Sequence, residues 1–392
     1  MSENAIRYIN LDCAASTPMR QEAIEAQREY DNSELAGINP NSLHTLGRKA
    51  ADRLERCRRA IARTFGENVR PSEVIFTAGG TEANQLALLG ISEGARQRDK
   101  KRTRVLVSAI EHDSILDNLP LLRQAGFTVE LVNPTPQGFI DPDELDKHLA
   151  DDVALVSVMF ANNETGVIQP IKELAARAHA YGARFHTDAI QGYLHAPLDV
   201  KDLDVDALSV AGHKIGGPVA TGALYIKFRT PLRPRVYGGG QEAGRRAGTQ
   251  DLRSQLAFTA AAKAAYGVLS NDSDPGARAD AMYRKLLSCP RIHATVGNPF
   301  SVKRLPGIVS IYVDGFDSEE LILQLDARGF EVSAGSACSS GSNDPSHVLT
   351  AMKLDRDSAL SSLRISFDDR IADIDLERFC QVLLDIAGGS AC

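Results

Sequence analysis

The chain has 392 residues, 43% of them hydrophobic and 24% charged, with a net charge of -7. That length exceeds what one hydrophobic core ordinarily serves, so two domains are expected, and the acidic balance argues against a large nucleic-acid footprint. No apolar run approaches the ~20 residues that span a bilayer, and the opening MSENAIRYINLDCAAS is not a secretory leader, so a cytoplasmic protein with no membrane partner is predicted.

A short strand signal near residues 8–11 comes first and could pack with either domain. Residues 73–77 (EVIFT) read as a buried strand leading through a glycine pair into a helical pattern, TEANQLALLGISEGARQR. Apolar runs at 104–108, 154–160, 183–186, 207–210 and 223–228 continue the strand series, with helical patterns such as IKELAARAHAYG between them. Buried strands alternating with amphipathic helices predict an α/β fold with a mostly parallel sheet flanked by helices. After residue 252 the character changes. An Ala-rich helical stretch, SQLAFTAAAKAAYGVL, is followed by a polar turn and by the short strand signals GIVSIYV and RISF, which read as a smaller α+β domain. The expected division is a large domain over 17–258 and a small one built from 1–16 and 259–392. Six cysteines, none in Cys-x-x-Cys spacing, argue against a disulfide framework and a metal site, and most should be small buried apolar residues.

In parallel sheets, ligands collect beyond the carboxyl ends of the strands. Thr81, His112, Asn163, Asp188 and Lys214 each follow a strand-like run. The turn AGGT (78–81) opens a helix, where free N–H groups and the Thr81 hydroxyl would cup a phosphate; a plain threonine cap explains the same residues. His112 alone is equally a satisfied polar residue. Asp188, in FHTDAIQG, is either a helix cap or a buried carboxylate awaiting a cation such as a protonated pyridine nitrogen. Lys214, in SVAGHKIGGP, is either a turn lysine or a poorly solvated amine available for a Schiff base. Arg364 sits within an apolar strand-like run and needs an anion, from an internal salt bridge or from a substrate carboxylate. Residues 333–347 contain no large apolar side chain. That composition predicts a solvated loop, and a cysteine within it, Cys338, is a thiol whose reactivity is used.

The ordered series LDCAASTP, NPNSLH, FTAGGTEAN, EHDSIL, NNETGVIQPI, HTDAIQG, SVAGHKIGGP, GGGQEAGRRAGT, SAGSACSSG and SSLRISF resembles the cysteine desulfurases, members of the class V aminotransferases with the fold-type I pyridoxal-phosphate architecture. The resemblance implies pyridoxal 5'-phosphate held by Lys214 as a Schiff base. Asp188 would sit on the ring nitrogen, His112 stacked on the ring and moving protons, and Gln191 on the ring hydroxyl. Gly80, Thr81 and His213 would hold the phosphate, and Thr249 the phosphate of a second subunit in a homodimer. Asn163 also lies beside the cofactor, and with Arg364 it would take the carboxylate of L-cysteine. Cys338 would accept the sulfur as a persulfide and pass it to an acceptor such as an iron–sulfur scaffold, leaving L-alanine. The loop around Cys338 resembles that of the long-loop members.

Two positions depart from that family. Ala211 stands where a phosphate-binding serine is common, a loss of about 1.5–3 kcal/mol if nothing replaces it. Cys13 stands where a larger residue is usual, either a second active-site thiol or a packed small residue. Other class V activities, selenocysteine lyase or transaminase, are the alternatives within enzymes. A non-catalytic sulfur-relay scaffold is the alternative outside them.

Overall fold

The computed structural model describes residues 7–271, 276–335 and 344–388. Its strands are β1 (Ile9–Asn10), β2 (Val74–Thr77), β3 (Arg104–Ser108), β4 (Thr128–Val132), β5 (Val153–Ser157), β6 (Arg184–Asp188), β7 (Ala207–Ala211), β8 (Gly222–Ile226), β9 (Ile292–Ala294), β10 (Ile308–Val313), β11 (Phe330–Glu331), β12 (Ser333–Ala334) and β13 (Ser362–Ser366).

Seven of them form one sheet in the order β2-β8-β7-β6-β5-β3-β4. From β7 to β4 every pairing is parallel, and β8 is antiparallel to both of its neighbours. Since β8 alone is reversed, β2 runs in the direction of the parallel set. The central strands are buried at every position because helices cover both faces, which is why VALVS, ALSVA and GALYI read as continuous small-apolar runs. β4, with its partly exposed TVELV, pairs only with β3 at the sheet edge; the apolar pattern did not reveal it.

β12, β13, β10 and β9 form an antiparallel sheet of four, with its own core of Val309, Ile311, Leu325, Phe330 and Phe379. The short N-terminal strand joins this second body: β1 pairs in parallel with β11, and Asp12 bridges Ser366 of β13. Chain 13–17 then crosses to the first sheet, where Thr17 Oγ1 donates to the backbone oxygen of Lys214 at 3.0 Å. Cys13, Cys57 and Cys380 are buried free thiols. Cys289 departs from the cysteine expectation, being disulfide-bonded. Among the described residues no helix is long and apolar enough to cross a membrane.

Candidate active site

Five strands of like direction bring their carboxyl ends to one edge of the large sheet, and a cavity of about 500 Å³ opens there against the second body. Gly80 and Thr81 line it after β2, His112 after β3, Asn163 after β5, Asp188 and Gln191 at and after β6, and His213 and Lys214 after β7. Arg364 reaches it from β13. The structure thus gathers nine of the residues singled out from sequence.

Asp188 ends β6 with 4% of its surface exposed. It is not a helix cap. One carboxylate oxygen accepts from Asn84 Nδ2 at 2.6 Å and the other from the Ile190 N–H at 2.9 Å. Burial pushes its pKa up, opposed by those two donors and by the charges of His112 and Lys214. Among the described residues it has no ion-pair partner, so a buried carboxylate on the cavity wall still needs a cation. A protonated pyridine nitrogen supplies one, and in this respect the residues fit the expected cofactor.

Lys214 closes a short 3-10 turn, Gly212–Lys214, directly after β7. Its Nζ donates to the backbone oxygens of Ala14 and Ala15 at 2.6 and 2.8 Å, so the N-terminal crossing caps the amine from above. Its own backbone oxygen accepts from His195 Nε2 at 3.0 Å as well as from Thr17. Gln191 Nε2 donates to Ala14 O at 2.8 Å, tying the crossing to the β6 loop.

The turn expected to cup a phosphate is shaped by its backbone. Gly79 is the cap of the helix Gly80–Arg98 at φ 138°, a conformation that favours glycine, and a Cβ on Gly80 would lie 2.2 Å from Ile190 Cδ1. Thr81 lies inside the helix and is not its cap, and with Gly80 it lines the cavity where the helix opens. His213 is pushed down to about 4, by burial and then by the Lys214 charge. Ala211 also lines the cavity and contributes no hydroxyl.

His112 caps the short helix that follows it, its Nδ1 accepting from the Ser114 N–H at 3.0 Å. A neutral ring held this way carries its proton on Nε2. Next to it, Glu111 is completely buried; one oxygen accepts from Ser108 Oγ and the Met159 N–H, and the other has no hydrogen-bond partner. Burial, with a smaller push from Asp188, raises this carboxyl to about 8.

The turn bearing Asn163 is set by Asn162, whose Oδ1 accepts from the Glu164 and Thr165 N–H groups, both at 2.9 Å. The Asn163 backbone oxygen accepts from Arg364 Nη1 at 3.1 Å, and Arg364 Nη2 donates to Asp12 at 2.8 Å. The arginine therefore makes the internal salt bridge that sequence offered as one option, while still lining the cavity. Glu164 beside it is raised to about 7 by burial and accepts from Ser346 Oγ.

Three thiol and loop positions are not among those nine. Cys338 lies outside the described residues, though Gly335, Asp344, Pro345 and His347, on either side of 336–343, line the cavity. Thr249 is exposed and not on this cavity. Cys13 is buried against a small adjoining void, and burial raises its thiol to about 12, the packed-residue behaviour. Sequence reasoning gave no role to Asp12, Asn84, Glu111 or Glu164; Glu111, beside His112, was open to reading as a solvated charge, and it is completely buried. Glu111, Glu164 and Asn84 sit inside the quoted motifs EHDSIL, NNETGVIQPI and FTAGGTEAN, and a charged or amide residue in an otherwise buried run was the available signal.

The family model described as Aminotransferase class-V matches residues 9–379. A protein named cysteine desulfurase IscS from Dictyoglomus turgidum is 37% identical over 92% of this chain and 89% of its own length. An IscS-like cysteine desulfurase from Mycobacterium tuberculosis is 39% identical over 95% of this chain and 94% of its own. Among solved structures, a NifS-like protein from Rickettsia africae superposes with a TM-score of 0.84 at 28% identity, covering 97% of this chain and 99% of that one.

Proposed function

The chain belongs to the class V aminotransferase family, whose members depend on pyridoxal phosphate, and from that premise we propose that it is a cysteine desulfurase converting L-cysteine to L-alanine with sulfur transfer to Cys338. The observation that carries the reading is the buried Asp188, without an ion-pair partner among the described residues, on the same cavity as Lys214. When bound, the cofactor supplies an aldehyde for the substrate amine and a protonated ring that draws electrons from Cα.

The chain's own residues divide the work as follows. Lys214 Nζ would hold the cofactor's aldehyde and, as a free amine, would move the Cα proton. Asp188 keeps the ring nitrogen charged, with Asn84 and the Ile190 N–H holding its carboxylate in place. Gly80, Thr81 and His213 take the phosphate, and Gln191 the ring hydroxyl. His112 covers the ring, with Nδ1 committed to Ser114 and Nε2 as the atom that exchanges a proton. Arg364 and Asn163 orient the substrate carboxylate. The Cys338 thiolate forms a bond to the substrate sulfur as the Cβ–S bond breaks. The electron pair passes to Cβ, which is then protonated, and alanine leaves. The cavity-lining residues on both sides of 336–343 support Cys338 as that acceptor.

Thr249 serves the neighbouring subunit's phosphate in a homodimer. Its exposure outside its own cavity supports this, as do Val236 and Tyr237 in the same loop, 41% and 72% exposed. The persulfide is then delivered to an acceptor protein in the cytoplasm, such as an iron–sulfur scaffold. We also place the division between domains where the chain crosses from one body to the other, near residues 17 and 258.

The test is a pair of variants of the purified enzyme given L-cysteine. Lys214→Ala loses the cofactor's absorbance band and turnover together. Cys338→Ala keeps the band and its change on adding cysteine, yet releases almost no sulfide under reductant. Full activity in either variant removes that residue from the mechanism, and 3-mercaptopyruvate in place of alanine would identify a transaminase.

A further inference from the structure

Arg364 lines the cavity yet is already neutralised. It is 2% exposed, its Nη2 donates to Asp12 Oδ1 at 2.8 Å and its Nη1 to Asn163 O at 3.1 Å. Its buried Nε has no hydrogen-bond partner. A guanidinium offers five N–H donors, so an incoming carboxylate finds donors without displacing Asp12. Asp12 itself is not on the cavity wall. It stands behind the arginine, placed there by its bridge to Ser366 and by Asn10 Oδ1, which accepts the Asp12 N–H at 2.8 Å. The side chain is 28% exposed, so solvent screens it only in part.

We propose that Asp12 is an affinity-tuning residue, whose carboxylate shares Arg364 with the α-carboxylate of the bound amino acid and keeps that hold weak enough for the product amino acid to leave. The inference rests on Arg364 being the carboxylate anchor. Without a counter-charge the buried guanidinium would be costly in the empty enzyme, so some anion must stand there. The same anion, on the same guanidinium as the substrate carboxylate, repels it. Affinity is thereby traded for release. The arginine's position does not hang on the charge alone: the Asn163 oxygen and the packing of β13 keep it in place.

The test uses the cofactor-loaded enzyme with Asp12→Asn, an isostere that still accepts from Arg364. The KM for L-cysteine and the inhibition constant of L-alanine should both fall about tenfold, the equivalent of ~1.4 kcal/mol, with kcat not raised. Inhibition by ethylamine, which has no carboxylate, should not change. Asp12→Ser should move the same constants in the same direction. Unchanged or raised constants for alanine overturn the proposal and leave Asp12 a structural support. So does an equal shift for ethylamine. Arg364→Gln separates this from the underlying reading: if it leaves the alanine constant untouched, Arg364 is not the anchor and the substrate assignment itself fails.

Discussion

Glu111 offers the sharpest test of the site's electrostatics. Its carboxyl is fully buried and raised from 4.5 to about 8, chiefly by burial. Between those two values the folded protein holds a proton there that the unfolded chain has released. Stability therefore falls as pH rises, by about 1.36 kcal/mol per pH unit, or roughly 4 kcal/mol between pH 5 and 8 from this group alone. Glu111→Gln removes the titration. The amide keeps an acceptor for Ser108 Oγ and the Met159 N–H, while its NH₂ sits where no partner exists. That costs about 1–3 kcal/mol and displaces the whole profile without changing its slope. Urea unfolding of cofactor-stripped protein at pH 5, 6, 7 and 8 gives the comparison. The difference curve, variant minus parent, should climb by about 1.4 kcal/mol per unit. A curve flat to within ~0.3 kcal/mol per unit would show that Glu111 is ionised throughout. It would also show that Asp188 shares its surroundings with a second negative charge.

Other variants probe the supporting shell. Glu242 accepts from both Arg58 terminal nitrogens, from the Phe76 N–H and from Gln250, and so pins the 236–250 loop to β2. Glu242→Ala should cost about 3–5 kcal/mol in chemical unfolding, most of it regained in Arg58→Met/Glu242→Leu. Asp188→Asn should weaken cofactor retention by at least about tenfold, the worth of ~1.4 kcal/mol, read as lost absorbance after gel filtration. The stripped protein should be no less stable at pH 8, because burial disfavours the charge that the variant removes. Cys13, with its thiol raised to about 12, should resist iodoacetamide at pH 8 by mass spectrometry, and Cys13→Ala should leave sulfur release within about twofold.

Much of the large sheet was legible because its strands are buried on both faces. VALVS and ALSVA cannot face water, and the polar residues Asn163 and Lys214 follow them on the cavity wall, so the strand ends and the site announced themselves together. β4 escaped because an edge strand tolerates Glu130 and leaves Thr128 exposed. The placement of residues 8–11 was undecidable for a similar reason: a two-residue strand carries no periodicity, and only its pairing with Phe330–Glu331 settles it.

What the residue order determined by itself was placement and kinship: which amine, carboxylate and imidazole stand after which strand, and that their series belongs to one family. Tertiary structure alone decided their state. The carboxyl groups of Asp188, Glu111 and Glu164 depart from water-like behaviour because they are buried, and burial is a property of the whole packed chain. Likewise Arg364 meets Asp12 across 352 residues of sequence, and Lys214 meets Ala14 across 200. Such pairings arise from how two sheets and an N-terminal crossing close on one another, and no local pattern encodes them.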